Sequence, residues 1–269
     1  MVEAVWPAAR DQAEGLRRLF GPRRAHMLAL ADVAAQDSGV SVAMATAKTL
    51  AARGHRVVLV DEHGRASRAC GCGGIELFDV LARGTALAAA IAAVTPNLRL
   101  LPARRAAREL GAGEEGVQQR LDACARSLRD GSDFVLVDSA VRRGRLSMLT
   151  LASPEIILAL SPSADAVTQG YALLKRAAAA RGPDGFRMVV RQSRDVRQSG
   201  LLADTVGAVA RQHLGMHLAY LGPLAADGSG LAEILAGNSP QADSDAGEDA
   251  AVALPMPLSA RRGHLQSVV

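Results

Sequence analysis

Short runs of Val, Leu, Ile and Ala recur along this chain: HMLALAD, RVVLVDE, LRLLPA, DFVLVDS, EIILALS, FRMVVRQ and LAYLGP. They are apolar throughout instead of alternating, as strands buried on both faces are. Between them lie alanine-rich stretches with helical spacing, such as GVQQRLDACARSLRDG and ADAVTQGYALLKRAAAARG. Strands alternating with helices predict an α/β fold: a doubly wound, mostly parallel sheet with helices on both faces. Ligands of such sheets sit beyond the carboxyl ends of the strands. The informative residues are therefore Asp32 to Val40, Asp61 to His63, Asp138 to Val141, Ser161 to Ser163 and Arg191 to Ser193.

Two flanks stand outside this alternation. Residues 1–22 hold DQAEGLRRLFGP, where Asp11 and Glu14 read as a capping box, Leu16, Leu19 and Phe20 form an apolar edge, and Gly21-Pro22 ends the helix. The prediction is a short amphipathic helix on a tether. From residue 237 onward the chain is rich in Ser, Asp, Gly and Pro and has no sustained period, which predicts a largely disordered tail. The α/β domain is thus expected over residues 23–236.

Composition narrows the function. A 269-residue chain with 49% hydrophobic residues has ample material for a packed core. Aromatic residues make up only 3%, too few for the stacking platforms of single-strand nucleic-acid binders, so no direct nucleic-acid partner is expected. The net charge of +4 is spread over scattered Arg-Arg pairs, which read as solvated surface. The first 15 residues lack a secretory apolar core, and no segment reaches the roughly 20 apolar residues of a membrane span, so a cytoplasmic location is expected. Cys70, Cys72 and Cys124 fit a reducing compartment; ACGCGG lacks further metal ligands and reads as a glycine-rich loop.

The candidate chemistry centres on LALADVAAQDSGVSVAMATAKTLAARGHRVVLVDEHG, residues 28–64, which has the layout of a phosphate-binding strand–loop–helix–strand unit. Such a loop needs glycines, a lysine for the terminal phosphates and a Ser/Thr for magnesium. Here Gly39 is the only glycine of the turn, and the chain's two lysines are Lys48 and Lys175. Lys48 lies nine residues past Gly39, about 13 Å along a helix, too far to serve the phosphates. Asp32 and Asp37 place negative charge where phosphates would lie, and Asp37 or Ser38 is positioned to cap the next helix. Asp61 and Asp138 each end a buried strand, the arrangement that holds magnesium in phosphoryl-transfer enzymes; a strand-terminal Asp equally caps a loop or helix, and without the lysine that reading is preferred. His213 and His217, four apart with Gly215 between them, read as surface histidines.

Together these stretches resemble the FlhG/FleN regulators of flagellar number, a branch of the MinD/ParA-type P-loop ATPases. The resemblance rests on DQAEGLRRL, similar to a DQAxxLR motif that engages the flagellar GTPase FlhF, and on ARGHRVVLVDEH, IELFDVLARG, DFVLVDSA and LAYLGPLAAD within residues 26–235. It implies a MinD-like fold, and it implies that Asp11, Gln12, Ala13, Leu16 and Arg17 contact FlhF, with a flagellar transcription activator as a further partner. In the family, ATP and magnesium drive dimerisation, and a C-terminal amphipathic helix then docks on membrane. This chain departs from the pattern. AAQDSGV, from Ala34 through Asp37, Ser38 and Gly39 to Val40, stands where the family carries a KGGVGKT-like loop. His63 replaces the second acid, Val141 and Arg142 replace glycines, and Arg191 replaces a base-reading asparagine. The expectation is a regulator without catalytic residues or bound nucleotide and with no membrane-docking tail, while homodimerisation stays open. The alternatives are a weak MinD/ParA-type ATPase, or a MinD-like positioning protein for pili or cellulose synthesis.

Overall fold

A computed structural model describes residues 25–33, 41–110, 115–163, 165–191, 196–225 and 230–237. Eight strands form one sheet: β1 (His26–Asp32), β2 (Val57–Asp61), β3 (Ala92–Thr95), β4 (Leu98–Pro102), β5 (Phe134–Ser139), β6 (Glu155–Leu160), β7 (Phe186–Arg191) and β8 (Ala219–Leu224). Their order is β3-β4-β2-β5-β1-β6-β7-β8, parallel except for the antiparallel β3–β4 pair. Strand β1 is central, between β5 and β6, the switch-point position of doubly wound sheets.

The helices are α1 (Val42–Ala52), α2 (Arg65–Ala69), α3 (Leu77–Arg83), α4 (Leu87–Ala90), α5 (Arg104–Glu109), α6 (Glu115–Arg129), α7 (Met148–Ala152), α8 (Ala166–Arg181), α9 (Val196–Leu214) and α10 (Leu231–Gly237). They divide between two apolar layers. Leu28, Leu30, Val57, Leu59, Phe134 and Leu136 face α1 and α10, meeting Val42, Ala47, Leu50, Leu231 and Leu235. Met27, Ala29, Val58, Val60, Val135 and Val137 face the other layer, with Leu81 of α3, Leu121 of α6, Leu149 of α7 and Leu173 of α8. Successive residues of a strand point to opposite faces, so both parities must be apolar and the runs read as continuous.

Among the described residues no helix is long and apolar enough to cross a membrane. His217 lies beyond the end of α9, so it does not share a helix with His213; both are exposed. Strand β3 was not among the sequence runs. It is a four-residue edge strand of alternating exposure built from AAVT, and it carries no continuous apolar signal.

Candidate functional site

Strand parity assigns the polar residues at the carboxyl edge to faces. Leu30, Leu59, Leu136 and Val189 point toward α1, so Asp32, Asp61, Asp138 and Arg191, each two residues on, point the same way. Glu62 and Ser139 fall on the opposite face. The carboxyl edge thus carries two polar clusters back to back across the sheet.

On the α1 face, Asp61 is fully buried and ionically well served. Its Oδ1 accepts the Gly64 backbone N–H at 2.7 Å, and its Oδ2 accepts the Ser67 N–H and the Ser67 hydroxyl, both at 2.7 Å. Three of its roughly four lone-pair positions are taken by the turn and first helical residues of α2. Asp61 is therefore a loop and helix cap.

Asp138 is its in-register neighbour on β5 but has a different environment. The Ser41 hydroxyl donates to its Oδ2 at 2.8 Å, and the His63 Nε2 lies 4.0 Å from its Oδ1. Burial pushes its pKa up to about 7; the Ser41 bond works against that rise, and the nearby Asp61 charge adds to it. His63 bonds the Ser139 carbonyl at 3.1 Å and is held below its ordinary pKa, mainly by burial and then by Arg65.

Two expectations are corrected here. The cap of α1 is neither Asp37 nor Ser38 but Ser41, whose hydroxyl accepts the Met44 N–H at 3.2 Å. Ser41 thus joins the helix start to Asp138. Nor does Asp32 present a bare negative charge where phosphates would lie: Arg191 Nη1 of β7 reaches across the end of β6 to its Oδ2 at 2.6 Å, and both residues are buried.

On the opposite face, Glu62 is buried and its pKa is raised to about 7, chiefly by desolvation. It accepts the Ala140 N–H at 3.0 Å and the hydroxyl of Ser147, the cap of α7, with Thr150 at 3.4 Å; Thr150 in turn donates to Ser139 at 2.7 Å. This network staples the end of β2 to β5 and α7, above a small cavity lined by Leu77, Leu81, Leu121 and Leu149.

Asp11, Gln12, Ala13, Leu16, Arg17, Ala34, Asp37, Ser38, Gly39 and Val40 lie outside the described residues. The two candidates inside them, Asp61 and Asp138, are brought side by side. Lys48 and Lys175 are exposed on α1 and α8. Sequence reasoning missed Ser41, Ser67, Ser147, the hydrogen-bonding role of Glu62 and the pairing of Asp32 with Arg191. Of these, only Ser41 had a local signal, a helix-capping residue type directly before an apolar helical run.

No family model and no curated protein matches this chain. Solved structures do. The MinD septum site-determining protein of Pyrococcus horikoshii complexed with Mg-ADP has 18% identity and a TM-score of 0.52, covering 76% of this chain and 82% of its own. The MinC:MinD cell division complex of Aquifex aeolicus gives 14%, 0.53, 75% and 81%; a Borrelia burgdorferi plasmid partition protein bound to AMPPNP gives 15%, 0.53, 75% and 85%. The class this defines is an α/β protein built on one mostly parallel sheet. Within that class the chain has a MinD-like fold.

The described residues fit the magnesium of such complexes poorly. A hard cation needs ionised oxygen ligands with open lone pairs, whereas Asp61 is spent on a cap, Asp138 sits at about 7 and Asp32 is held by Arg191. Among the described residues, no group of three or more His, Cys, Asp or Glu is placed to hold a metal.

Proposed function

We propose that this chain is a MinD/ParA-type positioning and regulatory protein that acts by binding partners instead of turning over nucleotide. The observation that carries this reading is the buried 2.6 Å Arg191–Asp32 ion pair, which closes the end of β1 from β7 with the chain's own charges. With Asp61 committed to α2, the edge that would meet a magnesium nucleotide is satisfied internally. The kinship in fold with a MinD seen in complex with MinC supports a partner-binding role. Within this kind we assign the chain to flagellar-number regulation through the FlhG/FleN-like motif of residues 11–19: Gln12 orients the attacking water in the FlhF GTPase, while Asp11, Ala13, Leu16 and Arg17 hold it in place.

The second reading is a nucleotide-dependent positioning ATPase. The solved neighbours favour it, since one is complexed with Mg-ADP and another with AMPPNP. Full-length protein, titrated calorimetrically with MgATP and then added to FlhF with GTP, separates the two. No saturation up to millimolar ATP, with FlhF stimulation that Gln12→Ala abolishes, is the expected result. Micromolar saturation would establish the second reading, and absent stimulation would remove the flagellar assignment.

A further inference from the structure

The short helix α2 ends in a turn with a cysteine on either side of a glycine. Cys70 is the C-cap, Gly71 follows with a φ of 64°, and Cys72 comes next. The Gly71 N–H donates to the Arg68 carbonyl at 3.2 Å, and the Cys72 N–H donates to the Ser67 carbonyl at 2.8 Å. These bonds, reaching three and five residues back around a left-handed glycine, form a Schellman motif and fix the backbone from Ser67 to Cys72. Residues two apart on helical dihedrals of either hand have Cα atoms about 5.4 Å apart, and a disulfide spans Cα separations of about 4.4–6.8 Å. Closing α2 therefore sets two thiols at bridging separation.

Cys70 is exposed, whereas Cys72 is half-buried, with its sulfur 3.7 Å from the Cys70 carbonyl oxygen and packed against the apolar layer of α1. Burial pushes the Cys72 thiol up and the neighbouring Cys70 adds to the rise, so the two groups lie within electrostatic reach of each other. A Cβ on Gly71, Gly73 or Gly74 would meet nothing within 4 Å, which leaves the loop open space in which to turn one sulfur toward the other. Cys124 stands apart: it is buried on α6 against the opposite face of the sheet, and burial pushes its thiol up to about 11. Among the described residues no third His, Cys, Asp or Glu joins the pair, so a tetrahedral zinc site is not available and the chemistry left to it is that of a dithiol.

We propose that Cys70 and Cys72 are a reversible dithiol–disulfide pair, a redox modification site at the exposed end of α2. The Cys70 thiolate attacks one sulfur of a low-molecular-weight disulfide, forming a mixed disulfide and releasing one thiolate. The Cys72 thiolate then attacks the Cys70 sulfur, which closes the Cys70–Cys72 bond and expels the second thiolate. The pair gives up two electrons and two protons, and the oxidant becomes two thiols. Ser67 ties this turn to the carboxyl edge: its carbonyl holds the Cys72 N–H, while its own N–H and hydroxyl hold Asp61.

The test equilibrates the reduced full-length chain with glutathione buffers of rising oxidised-to-reduced ratio, alkylates the remaining thiols in denaturant and maps tryptic peptides by mass spectrometry. Trypsin leaves both cysteines in one peptide, residues 69–83, and Cys124 in another. Peptide 69–83 should lose two hydrogens and both alkylation sites together in one transition, while Cys124 stays alkylated. Cys72→Ser should instead accumulate glutathione on Cys70, several-fold more than the native chain at the same ratio, because the resolving thiol is gone. A native chain that keeps glutathione on Cys70 as persistently as Cys72→Ser, or that links cysteines between chains, would overturn the proposal. So would a peptide 69–83 that stays reduced until the buffer also oxidises Cys124.

Discussion

Asp61 and Asp138 begin as twins. Each closes an apolar strand with nearly the same sequence, VVLVD and FVLVD, and the two are partners in register on adjacent strands facing the same helix. Asp61 receives three short hydrogen bonds, whereas Asp138 receives one hydroxyl and a distant imidazole. The first is a structural cap; the second is a carboxyl whose proton is in play near neutrality. The strand motif places an aspartate, but the next six residues decide which donors it meets. After β2 they form a left-handed turn at Gly64 (φ 71°) and a helix start that aims N–H groups back at the carboxylate, while after β5 the chain runs off into a tight hairpin closed by the Arg142–Arg145 bridge.

The largest effect expected from breaking this comparison is Asp61→Asn. An amide cannot accept from all three donors, and leaving buried donors of a charged group unpaired costs about 3 kcal/mol or more, a fall of roughly 6–12 °C in Tm at this chain length. Thermal unfolding at pH 7 measures it; a change under about 2 °C would mean the cap is dispensable. Ser41→Ala comes next. It removes both the α1 cap and, among the described residues, the side-chain hydrogen bond to Asp138, with an expected loss of about 1 kcal/mol in urea denaturation, and no loss would show that Ser41 does not couple the two.

The smallest effect at neutral pH should come from Asp138→Asn, within about 1 kcal/mol, since the native carboxyl is already half protonated there. Its signature is the pH profile. Asp138 and Glu62 have folded pKa values raised from 3.8 and 4.5 to about 7, so between roughly pH 4 and 7 the folded state binds more protons than the unfolded. Their contribution is fully present below pH 4 and is lost as pH rises through 7. Stability measured by urea midpoint from pH 5.5 to 8 should decline in the native chain and decline less in Asp138→Asn. Identical slopes would place the proton elsewhere.

This asymmetry explains what could be read from sequence. The run HMLALAD coincides with β1, and DFVLVDS and FRMVVRQ match β5 and β7 to within one residue at either end, because burial on both faces leaves an unambiguous local trace. The carboxyl-edge positions followed from the same trace. Arg191 and Asp32 are 159 residues apart and meet only by spanning β6, and Glu62 meets Ser147 and Thr150 more than 80 residues away. No local pattern encodes such pairs. Strand β3 was lost for the opposite reason, its alternating alanines being too weak a local signal.

The position of β1 has a consequence for biosynthesis. The first of the described strands lies inside the finished sheet, and both of its neighbours, β5 and β6, lie more than 100 residues downstream. At ordinary translation rates it waits roughly 5–20 s for its first partner. During that interval a nearly all-apolar strand has no edge to pair with, and Asp32 has no Arg191. The nascent chain is thus a client for holding chaperones until the second half emerges, and the central ion pair is among the last contacts to close.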